Sequence, residues 1–167
     1  VKTLSTAVAG TETMDGMIAS FAHRILKRLR HYRPVPSAAA ADLIRQAHPP
    51  LQPGERLLGI YENVPGELNN SLWVTDRAVH VRADAEWCSV AYAAVERLDA
   101  RQSATRLSGA AVDKHQVDGI AARLSSGETV WLPVLGGHDR LRDAWGFLRF
   151  LMRAQEHTAR TSGRAEP

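Results

Sequence analysis

Between Glu12 and Tyr32 the apolar positions recur every three or four residues. Met14, Met17, Ile18, Phe21, Ile25, Leu29 and Tyr32 fall within an arc of about 120° on a helix, so the segment predicts an amphipathic helix. His23, Lys27, Arg30 and His31 lie on the other side, and Arg24 and Arg28 flank the apolar stripe. Pro34 and Pro36 end this helix, because proline lacks the N–H and disfavours helix in the residue before it. Ser37 can cap a second, short helix through about Ala47, which Pro49 and Pro50 stop. Residues 1–11 are small and polar, without periodicity, and read as disordered.

After Gly54-Glu55 the period changes from helical to strand-like. Leu57 to Val64, Leu72 to Thr75, Val79 to Arg82, Trp87 to Tyr92 and Val95 to Asp99 read as successive strands. Between the second and third, Thr75-Asp76-Arg77 predicts a tight turn, since Thr and Asp side chains bond nearby backbone. Residues 100–115 read as a long polar loop. Val117 to Leu124 and Thr129 to Val134 alternate again around a hairpin turn at Ser125-Ser126-Gly127-Glu128.

Gly136-Gly137 breaks the last strand, and a helix is predicted from about His138 to Gln155. Asp139 in its first turn suits the positive end of the helix dipole. Leu141, Trp145, Leu148 and Met152 form the expected apolar stripe, with Phe147 to one side and Phe150 nearly opposite. Phe150 then needs a separate cover, either the N-terminal helices or a second copy of the chain. Residues 157–167 read as a flexible tail.

The 167 residues fit one domain with an extension: 1–50, a disordered start plus two helices; 51–156, the strand-rich domain; 157–167, the tail. No apolar run approaches the ~20 residues needed to cross a bilayer, and no secretory signal pattern opens the chain. The single cysteine, Cys88, fits a reducing cytoplasm, and the Ala- and Arg-rich composition hints at a bacterial source. The net charge of +3 is unevenly spread. Residues 1–50 hold seven Lys/Arg against three Asp/Glu, residues 51–137 eight against eleven, and residues 138–167 six against four. A nucleic-acid binder would place its basic stripe on the folded domain, so nucleic acid is not the expected partner.

Three strings in this pattern resemble the bacterial PH-like and GRAM-like domains of the pleckstrin-homology superfold. They are Gly54-Glu55-Arg56-Leu57-Leu58, the element from Leu72 to Val79 with Thr75-Asp76-Arg77 at its centre, and Trp87 to Leu98 with its Val90-Ala91-Tyr92. The resemblance covers residues 54–154. It implies an α+β fold: a PH-like antiparallel barrel of about seven strands capped by a C-terminal helix, here with an N-terminal helical extension. It also implies binding rather than catalysis. Relatives that grip phosphoinositides use basic residues between their first two strands, whereas Pro65-Gly66-Glu67-Leu68-Asn69-Asn70 holds an acid and no base.

The residues that could carry chemistry point the same way. The seven histidines lack metal-ligand spacing, and no nucleophile-elbow or phosphate-loop string is present. His80 reads as a surface or satisfied polar residue, Cys88 as a small buried side chain, and Gly136-Gly137-His138 as a strand-to-helix turn. Asp113, His115 and Asp118 read as a solvated loop. Trp73 and Trp131 sit out of phase with their neighbours, and either stay partly exposed or pack under the N-terminal helices. No enzyme activity, cofactor or metal is therefore expected. The candidate binding residues are Phe21, Arg24, Lys27, Arg28, Arg30 and Phe150. They predict a bacterial binding or scaffolding module that engages a protein partner. The alternatives are peripheral attachment to an anionic membrane through the basic amphipathic helix, at the inner membrane face, and an immunity-type protein that neutralises a toxin. The helix can also simply fold onto its own domain.

Overall fold

The computed structural model describes residues 14–103, 113, 115–136 and 143–163. The expected disordered start at 1–11 and the expected helix start at His138 lie outside the described residues. The architecture is mixed α+β: two antiparallel sheets, of five and three strands, with a long C-terminal helix. Among the described residues no strand pairing joins the two sheets into a closed barrel.

The first amphipathic segment is shorter as a helix than its periodicity predicts. Helix α1 runs Met14–Ile25, a tight 3-10 turn follows at Leu26–Arg28, and Leu29 is already extended. Tyr32–Pro34 is a strand, β1, not the last turn of that helix. It pairs antiparallel with β2 (Leu57–Tyr61), in the register Tyr32↔Tyr61 and Pro34↔Gly59. Tertiary pairing overrides the helical pattern here because it seats the Tyr32 ring in the core, at 5% exposure. Gly59 is required by that contact, since a Cβ there would lie 2.2 Å from the Tyr32 ring. Pro34 suits the position, because a proline on an edge strand leaves no outward N–H to attract another chain.

Helix α2 (Ala38–Ala47) starts as expected, with the Ser37 hydroxyl accepting from the Ala40 N–H at 3.2 Å. The five-stranded sheet then runs β1-β2-β3-β4-β5, with β3 at Leu72–Thr75, β4 at Ala78–Ala83 and β5 at Glu86–Ala91. The turn between β3 and β4 works as its sequence predicts. Thr75 Oγ1 accepts from the N–H groups of Arg77 and Ala78, and Asp76 Oδ1 accepts from the Arg56 N–H at 2.9 Å. The second sheet is β6 (Val95–Arg101), β7 (Gly119–Leu124) and β8 (Thr129–Pro133). Strand β6 thus extends two residues into the segment expected to be loop, held by the Ala100↔Ile120 and Arg101↔Gly119 pairs. Strand β2 in turn stops three residues short of the expected Val64.

Helix α3 spans Asp143–Ser162, seven residues beyond the expected Gln155, so most of the predicted tail is helical. Its buried face also differs from the expected one. Ala144, Phe147, Phe150, Leu151 and Ala154 lie inside, whereas Trp145 is 38% and Met152 47% exposed. Phe147 and Phe150 win because aromatic partners await them edge-on. Tyr61 meets Phe147 at 5.8 Å between centroids, and Tyr92 meets Phe150 at 5.9 Å. The small Ala144 and Ala154 let the helix approach the sheets.

The main core lies between the sheets, α3 and α1, which contributes Ile18 and Ala22, with Leu26 added by the 3-10 turn. A second, smaller core covers the outer face of the five-stranded sheet. There Ala40, Leu43 and Ala47 of α2 rest on Ile60 and Trp73. Trp73 is fully buried and meets Trp87 edge-on at 5.6 Å, while Trp131 is half-buried.

Candidate binding groove between the first and last helices

Helices α1 and α3 pack side by side, and their exposed edges bound a groove. The α1 side brings Phe21, Arg24, Ile25, Arg28 and Leu29; the α3 side brings Trp145, Arg149 and Arg153. The groove has two adjoining hollows of about 300 and 180 Å³, which share Arg24, Ile25 and Arg149. Gly146 sets its depth, since a Cβ there would press to 3.0 Å from a Leu29 methyl.

The spacing explains the arrangement. Arg149 and Arg153 are four residues apart and stand on one edge of α3, while Arg24 near the end of α1 and Arg28 in the 3-10 turn after it both face the same side of the groove. Packing the apolar faces together then brings the two basic edges to one groove. All four arginines are exposed, and among the described residues none pairs with a carboxylate. Arg24 donates to the Ser20 carbonyl at 3.4 Å and lies 5.6 Å over the Phe21 ring. Phe21 in turn meets His157 edge-on at 6.2 Å. Asp143 sits at the Trp145 end but is turned inward, accepting from the Tyr61 hydroxyl at 2.8 Å. That hydroxyl also accepts from the Gly136 N–H at 3.0 Å. Burial first, then the neighbouring Asp143, raise the Tyr61 pKa, so it stays a neutral donor.

The six residues singled out from sequence separate. Phe21, Arg24 and Arg28 line this groove. Lys27 faces a different hollow of about 440 Å³ with His23, Tyr32, Arg56 and Leu57. Arg30 is exposed, and its carbonyl accepts from Arg33 Nη1 at 3.0 Å. Phe150 is a correction: it is fully buried between Tyr92 and Phe147, and offers nothing to a partner or a second copy. Sequence reading missed Arg149 and Arg153. Their four-residue spacing was visible, but which edge of α3 would face α1 was not. Cys88 is half-buried, and burial, then Glu128, push its thiol pKa up, away from reactivity.

No family model, no curated protein and no solved structure matches this chain.

Proposed function

We propose that the protein is a binding module, an opened PH-like fold, that holds an acidic segment of a protein partner in the groove between α1 and α3. The observation that carries this is the set of four exposed arginines that pair with no carboxylate among the described residues. A guanidinium presents a planar fork that matches a carboxylate with two parallel hydrogen bonds, so facing arginines suit a run of Asp and Glu. The apolar floor removes water from one side of each such contact, which strengthens it. Trp145, at one end of the groove, adds a rigid aromatic anchor of the kind that concentrates binding energy. Among the described residues that line the groove, none is a nucleophile set beside a base, so it suits holding a ligand rather than transforming one.

Exposed Met17, Trp145 and Met152 favour a second reading, in which the same two helices rest on an anionic bilayer. No described helix is long and apolar enough to cross a membrane, so this attachment would be peripheral.

The test compares a fluorescent acidic peptide with vesicles containing phosphatidylserine, using the full chain and an Arg149→Glu/Arg153→Glu variant. The proposal expects peptide binding that weakens by roughly tenfold or more, about 1.4 kcal/mol, in the variant. Vesicle capture without peptide binding supports the membrane reading. Binding of neither, or equal binding by the variant, removes the groove as the site.

A further inference from the structure

On the far face of the five-stranded sheet, away from α3, three side chains form a continuous hydrogen-bonded chain. Glu55 Oε1 lies 2.8 Å from His80 Nε2, and His80 Nδ1 lies 2.7 Å from Ser89 Oγ. The inner two members are buried, at 1% side-chain exposure for Glu55 and 3% for His80, whereas Ser89 is exposed. From this geometry we infer that Ser89 is an activated nucleophile, with His80 as its base and Glu55 as the residue that positions the base.

The fold builds this chain from local rules. His80 on β4 and Ser89 on β5 are direct cross-strand partners. The Arg77–Tyr92 pair is hydrogen-bonded, through the Tyr92 N–H and the Arg77 carbonyl at 3.0 Å. Counting three residues along each strand makes His80–Ser89 a non-hydrogen-bonded pair, whose side chains approach most closely. Glu55 enters from the segment before β2. It is held by the Gln52 N–H at 2.8 Å and by Thr75 Oγ1 at 2.5 Å.

The network also decides the tautomer. An ionised carboxylate only accepts, so the imidazole proton sits on Nε2 and points to Glu55. In the neutral imidazole Nδ1 then keeps its lone pair and accepts a hydrogen bond from the Ser89 hydroxyl. The serine oxygen is left with its own lone pairs toward solvent. Burial pushes the Glu55 carboxyl up, but the hydrogen bonds from Gln52, Thr75 and His80 more than reverse this, and its pKa is lowered. This is the nucleophile–base–orienter order that acyl transfer requires.

The substrate class is an activated carboxylic ester. Ser89 Oγ attacks the carbonyl carbon while its proton passes to His80 Nδ1. The C–O bond to the alcohol breaks, and the alcohol leaves with that proton. Water then gives a proton to the same nitrogen, attacks the acyl carbon, and releases the carboxylic acid as Ser89 regains its hydrogen. In a non-hydrogen-bonded pair the Ser89 N–H points away from β4, toward the β5 edge that carries no strand among the described residues. Its present neighbour is the Cys88 sulfur, a weak acceptor, so this N–H is the donor available to a developing oxyanion.

The test uses the full chain, a fluorophosphonate probe, and peptide mass mapping of the adduct. Ser126, exposed in a hairpin turn with no histidine bonded to it among the described residues, serves as the internal reference. The inference expects an adduct on Ser89 formed about a hundredfold faster than on Ser126, in the range a general base contributes. Glu55→Gln should slow Ser89 labelling while leaving Ser126 unchanged, and Ser89→Ala should lose hydrolysis of p-nitrophenyl acetate. Should Glu55→Gln fail to fold, the unfolded wild-type chain serves instead, because it lacks the strand pairing and should lose the Ser89 preference. An unmodified Ser89 in the folded chain, or labelling no faster than Ser126 or than in the unfolded chain, overturns the inference.

Discussion

Helices α1 and α2, which flank β1 in the chain, bury themselves differently. Helix α1 and the 3-10 turn after it lay Ile18, Ala22 and Leu26 into the main core beside α3 and leave Arg24 and Arg28 without acids among the described residues. Helix α2 lays Ala40, Leu43 and Ala47 on Trp73 and Ile60. On that sheet face Trp73 Nε1 donates to Ser71 Oγ at 2.9 Å, Glu55, His80 and Ser89 bond in sequence, and the Arg82 guanidinium lies 6.0 Å over the Trp87 ring. The difference separates two uses of polarity. On the α2 side Trp73 Nε1, Glu55 and His80 are buried and paired, and leaving one of them unpaired would cost the fold about 1–3 kcal/mol. Beside α1 the charges stay in water, cost the fold little, and remain available to a ligand.

This contrast makes the α2 side sensitive to mutation and the groove tolerant. The largest effect expected is Trp73→Ala. It empties a fully buried site, strips Ser71 of its donor, and should cost about 3–5 kcal/mol in a urea denaturation series. A cost under about 1 kcal/mol would mean that α2 is only loosely seated. A smaller, pH-dependent loss should come from Glu55. Its folded pKa lies below the unfolded one, so its contribution is complete above the ordinary glutamate pKa of about 4.3 and is lost as the pH falls through the folded value. Melting temperatures measured from pH 7 to pH 3 should therefore fall less steeply for Glu55→Gln than for the wild type. Parallel curves would count against the buried carboxylate. The smallest effect belongs to Arg153→Ala in the groove, expected within about 0.5 kcal/mol of wild type in the same denaturation series. A larger loss would show that the arginines hold the helices together, and the comparison would collapse.

Much of the fold was legible along the chain. The Thr75-Asp76-Arg77 turn, the Ser37 cap and the hairpin at residues 125–128 all rest on local chemistry that survives without knowledge of neighbours. Three-residue β1 was not legible, because Tyr32 continues a helical stripe and only its pairing with Tyr61 makes it a strand. The inward face of α3 was ambiguous for a related reason. Trp145, Leu148 and Met152 repeat at helical spacing, and so do Ala144, Phe147, Leu151 and Ala154. Periodicity weighs apolarity and not shape, so it cannot see that alanines and edge-on aromatics fit the sheets better. Half of the groove was readable in Phe21, Arg24 and Arg28; the other half depended on that same rotation of α3.

By itself, then, the sequence determined the order and kind of most elements, the turns between them, and the basic edge of the first helical segment. These follow from interactions within a few residues. The tertiary structure decided which edges meet, and so joined Arg24 and Arg28 to Arg149 and Arg153 across one groove. It also brought Glu55 within 2.8 Å of His80, 25 residues on, with Ser89 completing the chain from the next strand. Such contacts depend on strand register and helix rotation, and these are set only when the whole core closes.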